Sequence, residues 1–452
     1  MPSSNTSGTT STSLRVWQLA WPTILSNLLF TTVGFLHIKI VADLGTSSVA
    51  AVTTGHRVFF LVQAILMGMS VAATALIARN WGAKNIPRAE LVTWTAMALA
   101  IGLAFVLSLP IVLAPSFVAG LFGLDPETTA QAAGFIFWLG LFNVFSAINL
   151  MLAAALRATG DVITPLCFLF FSSLLNVLFS YFFAYGIGPL PGMGVSGVAL
   201  GGSLAAALIT SLFAFMWWRG GFALKALKHA TLDRGSARQL ISIGAPSALE
   251  QGLVQIAFLV FFAIVAQYGT IPYAAYGIGS SLVAFSIVIG FGFGIAAATL
   301  VGQQLGAGNP EGAVLAGWRG LRMALIAMCL FSILMALFAE QLALFIIDEP
   351  EVVRLTVHFI YIIALTQPLM AVEFTIAGAL RGAGDTRAPL YVTLCGVVFG
   401  RLLPALLFLS LSLPVQWVFS ALAIDYLIKA VLLIRRYQSR KWLVLDLGTQ
   451  ST

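Results

Sequence analysis

Apolar runs of about twenty residues, enough to cross about 30 Å of hydrocarbon as helix, recur along the whole chain. Short polar or glycine-containing breaks separate them, and twelve runs can be counted, six in each half. The pattern predicts an all-α polytopic membrane protein. The first run follows a polar Ser/Thr tail, is too long for a signal-peptide core and is not followed by a small-residue cleavage site, so it is read as a retained helix.

The breaks and the residues inside the runs repeat at a constant spacing of 224 residues. Pro22 returns as Pro246, Gly55 as Gly279, Gly68 as Gly292, and Gly82-Ala83-x-Asn85 as Gly306-Ala307-x-Asn309. Ala155-Leu156-Arg157-x-x-Gly160-Asp161 returns as Ala379-Leu380-Arg381-x-x-Gly384-Asp385, followed by Pro165 or Pro389. Chance does not hold one register across so many glycines, prolines and charges. A long apolar chain made of two such halves is the expected plan of a secondary transporter, with substrate between halves that rock against each other.

Composition agrees. Hydrophobic residues make up 60% of the chain and charged residues 9%, with a mean hydropathy of +1.00, so a water-soluble fold would expose far too much apolar surface. The net charge of +7 suggests nucleic acid less than membrane topology, because the basic residues are unevenly placed. Arg15, Arg79, Lys84, Arg88, Arg157, Lys225, Lys228, Arg234, Arg238, Arg319, Arg381, Arg387, Arg435, Arg436, Arg440 and Lys441 fall on one side. The opposite loops carry Asp43, Asp125, Glu127, Asp348, Glu349 and Glu351, with Arg354 the main exception.

This places both termini in the cytoplasm and gives the halves one orientation, related by an axis along the membrane normal. The expected organisation is a cytoplasmic tail over 1–13, an N-terminal lobe of six helices over 14–217 and a cytoplasmic linker over 218–240. A C-terminal lobe of six helices over 241–436 and a second cytoplasmic tail over 437–452 complete it. Cys167, Cys329 and Cys395 lie inside apolar runs at no paired spacing and read as packing residues.

The chain resembles the multidrug and toxic compound extrusion (MATE) transporters, bacterial type, from about Leu14 to Trp442. The resemblance is carried by Pro22-Thr-Ile-Leu-Ser with Leu44-Gly45, Trp81-Gly82-Ala83-Lys84-Asn85, Leu305-Gly306-Ala307-Gly308-Asn309-Pro310, and the two Leu-Arg-x-x-Gly-Asp turns. Gly194-Val195-Ser196-Gly197-Val198-Ala199 and Arg401-x-x-Pro404 add to it. It implies a V-shaped pair of six-helix lobes exporting amphipathic, commonly cationic compounds by inward movement of H⁺ or Na⁺.

An ionisable group within a span costs several kcal/mol unless paired or hydrated, so each is a functional candidate. Glu250 lies one turn after Pro246, opposite Ser26 in the repeat; Glu373 lies in the tenth run, opposite Asn149. Apolar surroundings favour the protonated form of a carboxylate, which suits proton uptake and release near neutral pH. Both are taken as ion-coupling residues. A neutral carboxylate that caps a backbone break is the bland alternative.

The resemblance implies an aspartate where His37 stands, an asparagine at Asn176, and often an aspartate where Ser180 stands. His37 can titrate, since free imidazole has a pKa of about 6.5, or can simply hold a carbonyl; it joins the ion-coupling candidates. Na⁺ wants several hard oxygen ligands, usually with a carboxylate. Lacking those acids, the first lobe offers a poor Na⁺ site, which favours H⁺.

Gln63 and Met67, with Met69, suggest an adaptable surface where the first, second, seventh and eighth helices would meet. Asn149, Asn176, Gln255 and Gln367 join Gln63 and Met67 as substrate-binding candidates. Gln251 and Asn143 offer further polar contacts, although amides in bundles often join helices instead. Asp425 and Lys429, four apart, read as a structural pair, and Arg401 as an anchor for a carboxylate, either Glu250 or Glu373. Lys39 and Arg57 read as snorkelling side chains. The 34 phenylalanines could stack on an organic cation, but most read as core or lipid-facing.

Gly290-Phe-Gly-Phe-Gly294 lies inside an apolar run without a following Lys-Ser/Thr, so it reads as a packing stripe rather than a phosphate loop. An enzyme would need clustered nucleophiles or metal ligands. His37, His56, His229 and His358 are scattered, no metal site is indicated, and no cofactor is expected. A channel would need a continuous polar pore.

The favoured reading is an H⁺-coupled exporter of small amphipathic, cationic compounds in the inner membrane, acting as a monomer without nucleic-acid partners. The alternatives are a Na⁺-coupled exporter of the same family and a lipid-precursor flippase of the same superfamily. Twelve spans rather than fourteen argue against the flippase.

Overall fold

The computed structural model describes residues 7–187, 190–227 and 232–445. Lys228 and His229 of the linker and residues 446–452 of the terminal tail lie outside the described residues. Among the described residues, twelve helices are long and apolar enough to cross a membrane. They are α1 (Ser7–Ala42), α2 (Thr46–Gly82), α3 (Ile86–Leu113), α4 (Pro126–Thr159), α5 (Ile163–Tyr185) and α6 (Gly194–Trp218), then α7 (Arg234–Ala266), α8 (Thr270–Gly306), α9 (Pro310–Leu337), α10 (Pro350–Gly382), α11 (Arg387–Ser410) and α12 (Val415–Gln438).

Short helices, Pro115–Gly120 and Ala339–Leu344, follow α3 and α9, and the described chain ends in a 3₁₀ turn, Lys441–Val444. A two-residue antiparallel ladder, Gly186–Ile187 with Leu190–Pro191, closes the α5–α6 connection. Helix therefore begins inside the segment expected as the first tail, and α7 begins inside the expected linker.

The helix boundaries follow from the repeated polar residues. Asn85 and Asn309 cap α3 and α9, their side chains accepting from the amides of Arg88 (3.2 Å) and Gly312 (2.8 Å), and proline occupies the first turn in both. The Leu-Arg-x-x-Gly-Asp turns work the same way. Gly160 and Gly384 take φ of 100° and 90°, which only glycine adopts without strain. The following Asp161 and Asp385 then accept from the amides of Thr164 and Ala388, starting α5 and α11.

The chain divides into two compact units: an N unit, Leu25–Ala248, and a C unit, Met1–Ile24 with Leu249–Thr452. The division falls within α1 and α7 instead of at the linker. Gly packing in each unit shows why. In the N unit a Cβ at Gly68 of α2 would meet Gly244 and Ala248 of α7 at 2.7 Å, and in the C unit one at Gly292 of α8 would meet Ala20 and Ile24 of α1. These are the same positions one repeat apart, so the first part of each leading helix packs within the unit that holds the opposite repeat.

Within the N unit α4 packs against α2, α3 and α6; within the C unit its equivalent α10 packs against α8, α9 and α12. Close contacts repeat as well. Gly55 of α2 faces the Phe135 ring of α4, and Gly279 of α8 faces the Phe359 ring of α10, too near in each case for any Cβ. Both units thus bury their equivalent aromatic rings against a glycine notch, which lets helix backbones approach closely in the absence of a hydrophobic drive between helices.

Candidate functional site

Helix α11 is not a uniform α-helix. Between Gly396 and Leu402 it widens into a π-helical turn, a distortion that often marks functional positions. The turn presents Arg401 to Asp425 of α12, Nη2 to Oδ2 2.5 Å. Asp425 also meets Lys429 one turn on, Oδ1 to Nζ 3.2 Å, and Lys429 lies 3.2 Å from Glu373 Oε1 on α10. Four charges, two of each sign, therefore form one buried cluster from three helices. Tyr426 borders it, with Lys429 Nζ 5.4 Å and Arg401 5.9 Å from its ring centre.

Glycine makes room for this. A Cβ at Gly400 would approach the Asp425 backbone to 2.6 Å, and one at Gly396 would reach Asp425 Oδ1 at 2.5 Å and Lys429 Cγ at 2.6 Å. The N unit inverts the arrangement. There Gly201 and Gly202 on α6, at the repeat positions of Asp425 and Tyr426, lie against the backbone of α5 and against Asn176. The polar side chain sits on the fifth helix in one unit and on the twelfth in the other.

A second ionic group holds α7 to α10. Arg381, in the turn at the end of α10, donates from Nη2 to Glu250 Oε1 (2.6 Å) and from Nε to Oε2 (3.3 Å). Thr393 Oγ1 of α11 adds a third bond to Oε1 at 3.0 Å. A forked guanidinium–carboxylate pair of this kind is among the stronger charge-assisted contacts. Next to it, Asp385 of the same turn pairs with Arg436 at 2.7 Å.

The expected partner of Arg401 is corrected here: it holds Asp425, while Glu250 takes Arg381 and Glu373 takes Lys429. Asp425 and Lys429 pair as expected, but Lys429 reaches a coupling candidate too. The sequence marks Arg381 as a topogenic charge and as part of the repeated turn, without giving it a partner. Its place in the repeated turn beside Asp385 was the available signal, since Arg157 occupies that place where Ser26 replaces Glu250.

In the N unit His37 is buried at the end of α1. Its Nε2 lies 2.6 Å from Asn176 Oδ1 and 3.3 Å from Ser180 Oγ, both on α5. Ser180 donates to the Val198 carbonyl of α6 at 2.9 Å. The imidazole of His56 on α2 stacks on His37 with ring centres 5.5 Å apart. The histidines are thus not all scattered: the α1–α2 hairpin brings two of the four together. Asn176 sits with His37 in one polar cluster.

Among the other candidates, Gln367 is wholly buried, its amide donating to Ser286 Oγ of α8 at 2.5 Å. That is the placement of a helix-joining amide. Gln63, Met67, Asn149 and Gln255 are half-buried, and Asn143 donates to Ser108 across α3 and α4 at 3.1 Å. Lys39 and Arg57 are exposed. Among the described residues no group of three or more His, Cys, Asp or Glu is placed to hold a metal ion.

Twelve spanning helices in two units of one plan, with buried ion pairs concentrated in one of them, define a multi-pass membrane protein of transporter architecture. The chain belongs to the MatE family, whose pattern matches residues 22–182 and again 246–406. The two matches are offset by the 224 residues of the repeat.

The chain is similar to "Probable multidrug resistance protein NorM" of Thermotoga maritima, 26% identical over 94% of this chain and 92% of that protein. It is also similar to "FAD transporter" of Shewanella oneidensis, 23% identical over 86% of this chain and 88% of that protein. Among solved structures, a MOP superfamily transporter from Pyrococcus furiosus, described by a binding pocket of reverse polarity, shares the fold with a TM-score of 0.89. It is 20% identical, covering 95% of this chain and 96% of that one. The Vibrio cholerae MATE transporter VcmN in its bent form gives 0.88 at 19% identity, covering 96% and 97%.

Proposed function

We propose that the protein is a secondary active antiporter that exports small amphipathic organic compounds in exchange for inward H⁺ by alternating access. The observation that carries the reading is the one-sided distribution of buried carboxylates among the described residues. Glu250 and Glu373 are held in the C unit by basic side chains they can exchange with a proton, while the equivalent positions in the other repeat are Ser26 and Asn149. The similarity to proteins named as multidrug resistance transporters supports export of organic compounds. The cationic character of those compounds rests on the family resemblance.

H⁺ is favoured over Na⁺ because each of the two carboxylates already faces a positive side chain, and a proton needs one lone pair where Na⁺ needs several hard ligands. His37 is the proton-binding candidate of the N unit, with Asn176 and Ser180 as its partners. The protein acts in the inner (plasma) membrane with both termini cytoplasmic, as the placement of Lys and Arg supports. It acts as a monomer, without a resident cofactor and without enzymatic chemistry.

The test is efflux from proteoliposomes driven separately by imposed pH and Na⁺ gradients, with Glu250→Gln, Glu373→Gln and His37→Ala compared. The pH gradient is expected to drive efflux, and the two glutamine variants to abolish it. Full proton-driven efflux in the double glutamine variant, or strict Na⁺ dependence of the unmodified protein, would overturn the reading.

A further inference from the structure

We propose that the Lys429 ammonium is a built-in cation standing where a metal cation would otherwise bind, making Lys429 the residue that excludes Na⁺ from the Glu373–Asp425 pair. The proposal deepens the proton-coupled reading above and rests on it.

Two carboxylates from different helices converge on one point, and the group at that point is Nζ, 3.2 Å from an oxygen of each. Converging hard oxygens in a dry pocket are what an alkali cation requires. Here the pocket is filled from within. The Lys429 and Asp425 side chains are 3% and 0% exposed, and Glu373 is 15% exposed.

The stem of Lys429 fits because Gly396, facing it from the widened turn of α11, has no Cβ. The groups around the ammonium are Glu373 from α10, Asp425 and Tyr426 from α12, and Arg401 from α11. With both acids ionised, the Lys429 and Arg401 charges balance them.

A Na⁺ entering this cluster would add an unbalanced charge at low dielectric and would have to displace Nζ to gain its ligands. A proton adds the same net charge, but it bonds to a single oxygen and leaves Nζ in place. Glu373 Oε2 is buried without a hydrogen-bond partner, so a proton can add there. That neutralises the carboxylate and leaves the intact ammonium to Asp425. The repeat adds an independent argument: the N-unit counterparts of Glu373, Asp425, Lys429 and Arg401 are Asn149, Gly201, Ala205 and Val177. Acids and bases are present together in one repeat and absent together from the other, as expected if the lysine answers the carboxylates.

The experiment measures binding of radiolabelled Na⁺ and Na⁺-dependent thermal stability of purified protein in detergent, with choline as the control cation. The unmodified protein and Lys429→Arg are expected to show no saturable binding. Lys429→Ala should gain it, with unfolding raised by about 3 °C or more at saturating Na⁺, and adding Glu373→Gln should remove the gain. Recovery of Lys429→Ala only when Na⁺ is present throughout purification is also the expected result. Lys429→Met, which keeps the volume of the stem, carries the same readout where the alanine variant does not fold.

Saturable Na⁺ binding by the unmodified protein that Glu373→Gln abolishes would overturn the assignment, as would a monodisperse Lys429→Ala indifferent to Na⁺. Failure of the proton reading looks different. An unmodified protein that binds no Na⁺ yet is not driven by a pH gradient sinks that reading and leaves the role of Lys429 standing.

Discussion

Arg381 folds back from the turn after α10 to grip Glu250 on α7 through both arms of its guanidinium, at 2.6 and 3.3 Å. The pair is nearly closed to solvent, with side chains 15% and 5% exposed. Removing one partner of such a pair costs about 3–5 kcal/mol because the other is left buried and uncompensated, whereas removing both can be nearly neutral. Arg381→Met is therefore expected to lower the unfolding temperature in detergent much more than the double variant Glu250→Gln, Arg381→Met. Equal losses in the two would show that the pair is not coupled.

The paired glycine notches make a prediction about both repeats at once. A methyl group at Gly55 or Gly279 would enter the ring of Phe135 or Phe359, and overpacking of a tight helix contact costs about 1–3 kcal/mol. Gly55→Ala and Gly279→Ala should each reduce thermal stability by a similar amount. Phe359→Leu should rescue Gly279→Ala but not Gly55→Ala, since the two contacts lie in separate units. Rescue of both, or of neither, would contradict the packing account.

The start of α7 carries a pH-sensitive contact outside the membrane segments. Asp233 accepts from the Ser236 amide at 2.8 Å and pairs with Arg88 at 3.1 Å. The Ser236 hydrogen bonds, with a smaller part from Arg88, hold its carboxyl below the ordinary 3.8. A depressed carboxylate contributes stability that is present above 3.8 and is lost as pH falls through the lower folded value. The effect of Asp233→Ala on thermal stability should thus be constant through neutral pH and shrink only in strong acid. A difference that shrinks between neutral pH and pH of about 5 would assign the contact to another group.

The helices and their register were open to sequence reading because each depends on local signals: apolar length, an Asn or Asp cap, a glycine at positive φ. Gly160 and Gly384 end their helices for reasons visible in four consecutive residues. Pairings across the bundle were harder. Arg401 could be recognised as needing a carboxylate, but choosing Asp425 over Glu250 or Glu373 depends on the π-helical turn, which adds a residue to one turn of α11 and rotates the side chain. Nothing in the local composition of Gly396–Leu402 announces that turn. The stacking of His37 on His56 was equally hidden, since nineteen positions separate them and only the bend at Leu44-Gly45 sets how α1 and α2 face each other.

The end of the described chain separates a packing contribution from a charge contribution. Trp442, expected in a cytoplasmic tail, is completely buried: its indole stacks on Tyr437 at 4.8 Å and donates to the Tyr437 carbonyl at 2.8 Å. Tyr437 in turn donates to the carbonyls of Ala313 and Val314 at the start of α9, at 3.2 and 3.1 Å. Two residues before the indole, Arg440 makes a forked pair with Glu311 on the same helix at 2.6 and 3.3 Å, but the two side chains are 53% and 66% exposed. By distance alone the ion pair is the tighter contact. Burial reverses the ranking, because an exposed pair contributes about 0–1 kcal/mol whereas truncating a buried tryptophan costs about 3–5 kcal/mol. Trp442→Ala should therefore destabilise the purified protein strongly, and Arg440→Ala barely, with raised salt narrowing only the Arg440 effect. Thermal unfolding of the two variants at low and high salt checks this, and a larger loss from Arg440→Ala would mean that the turn is held by charge.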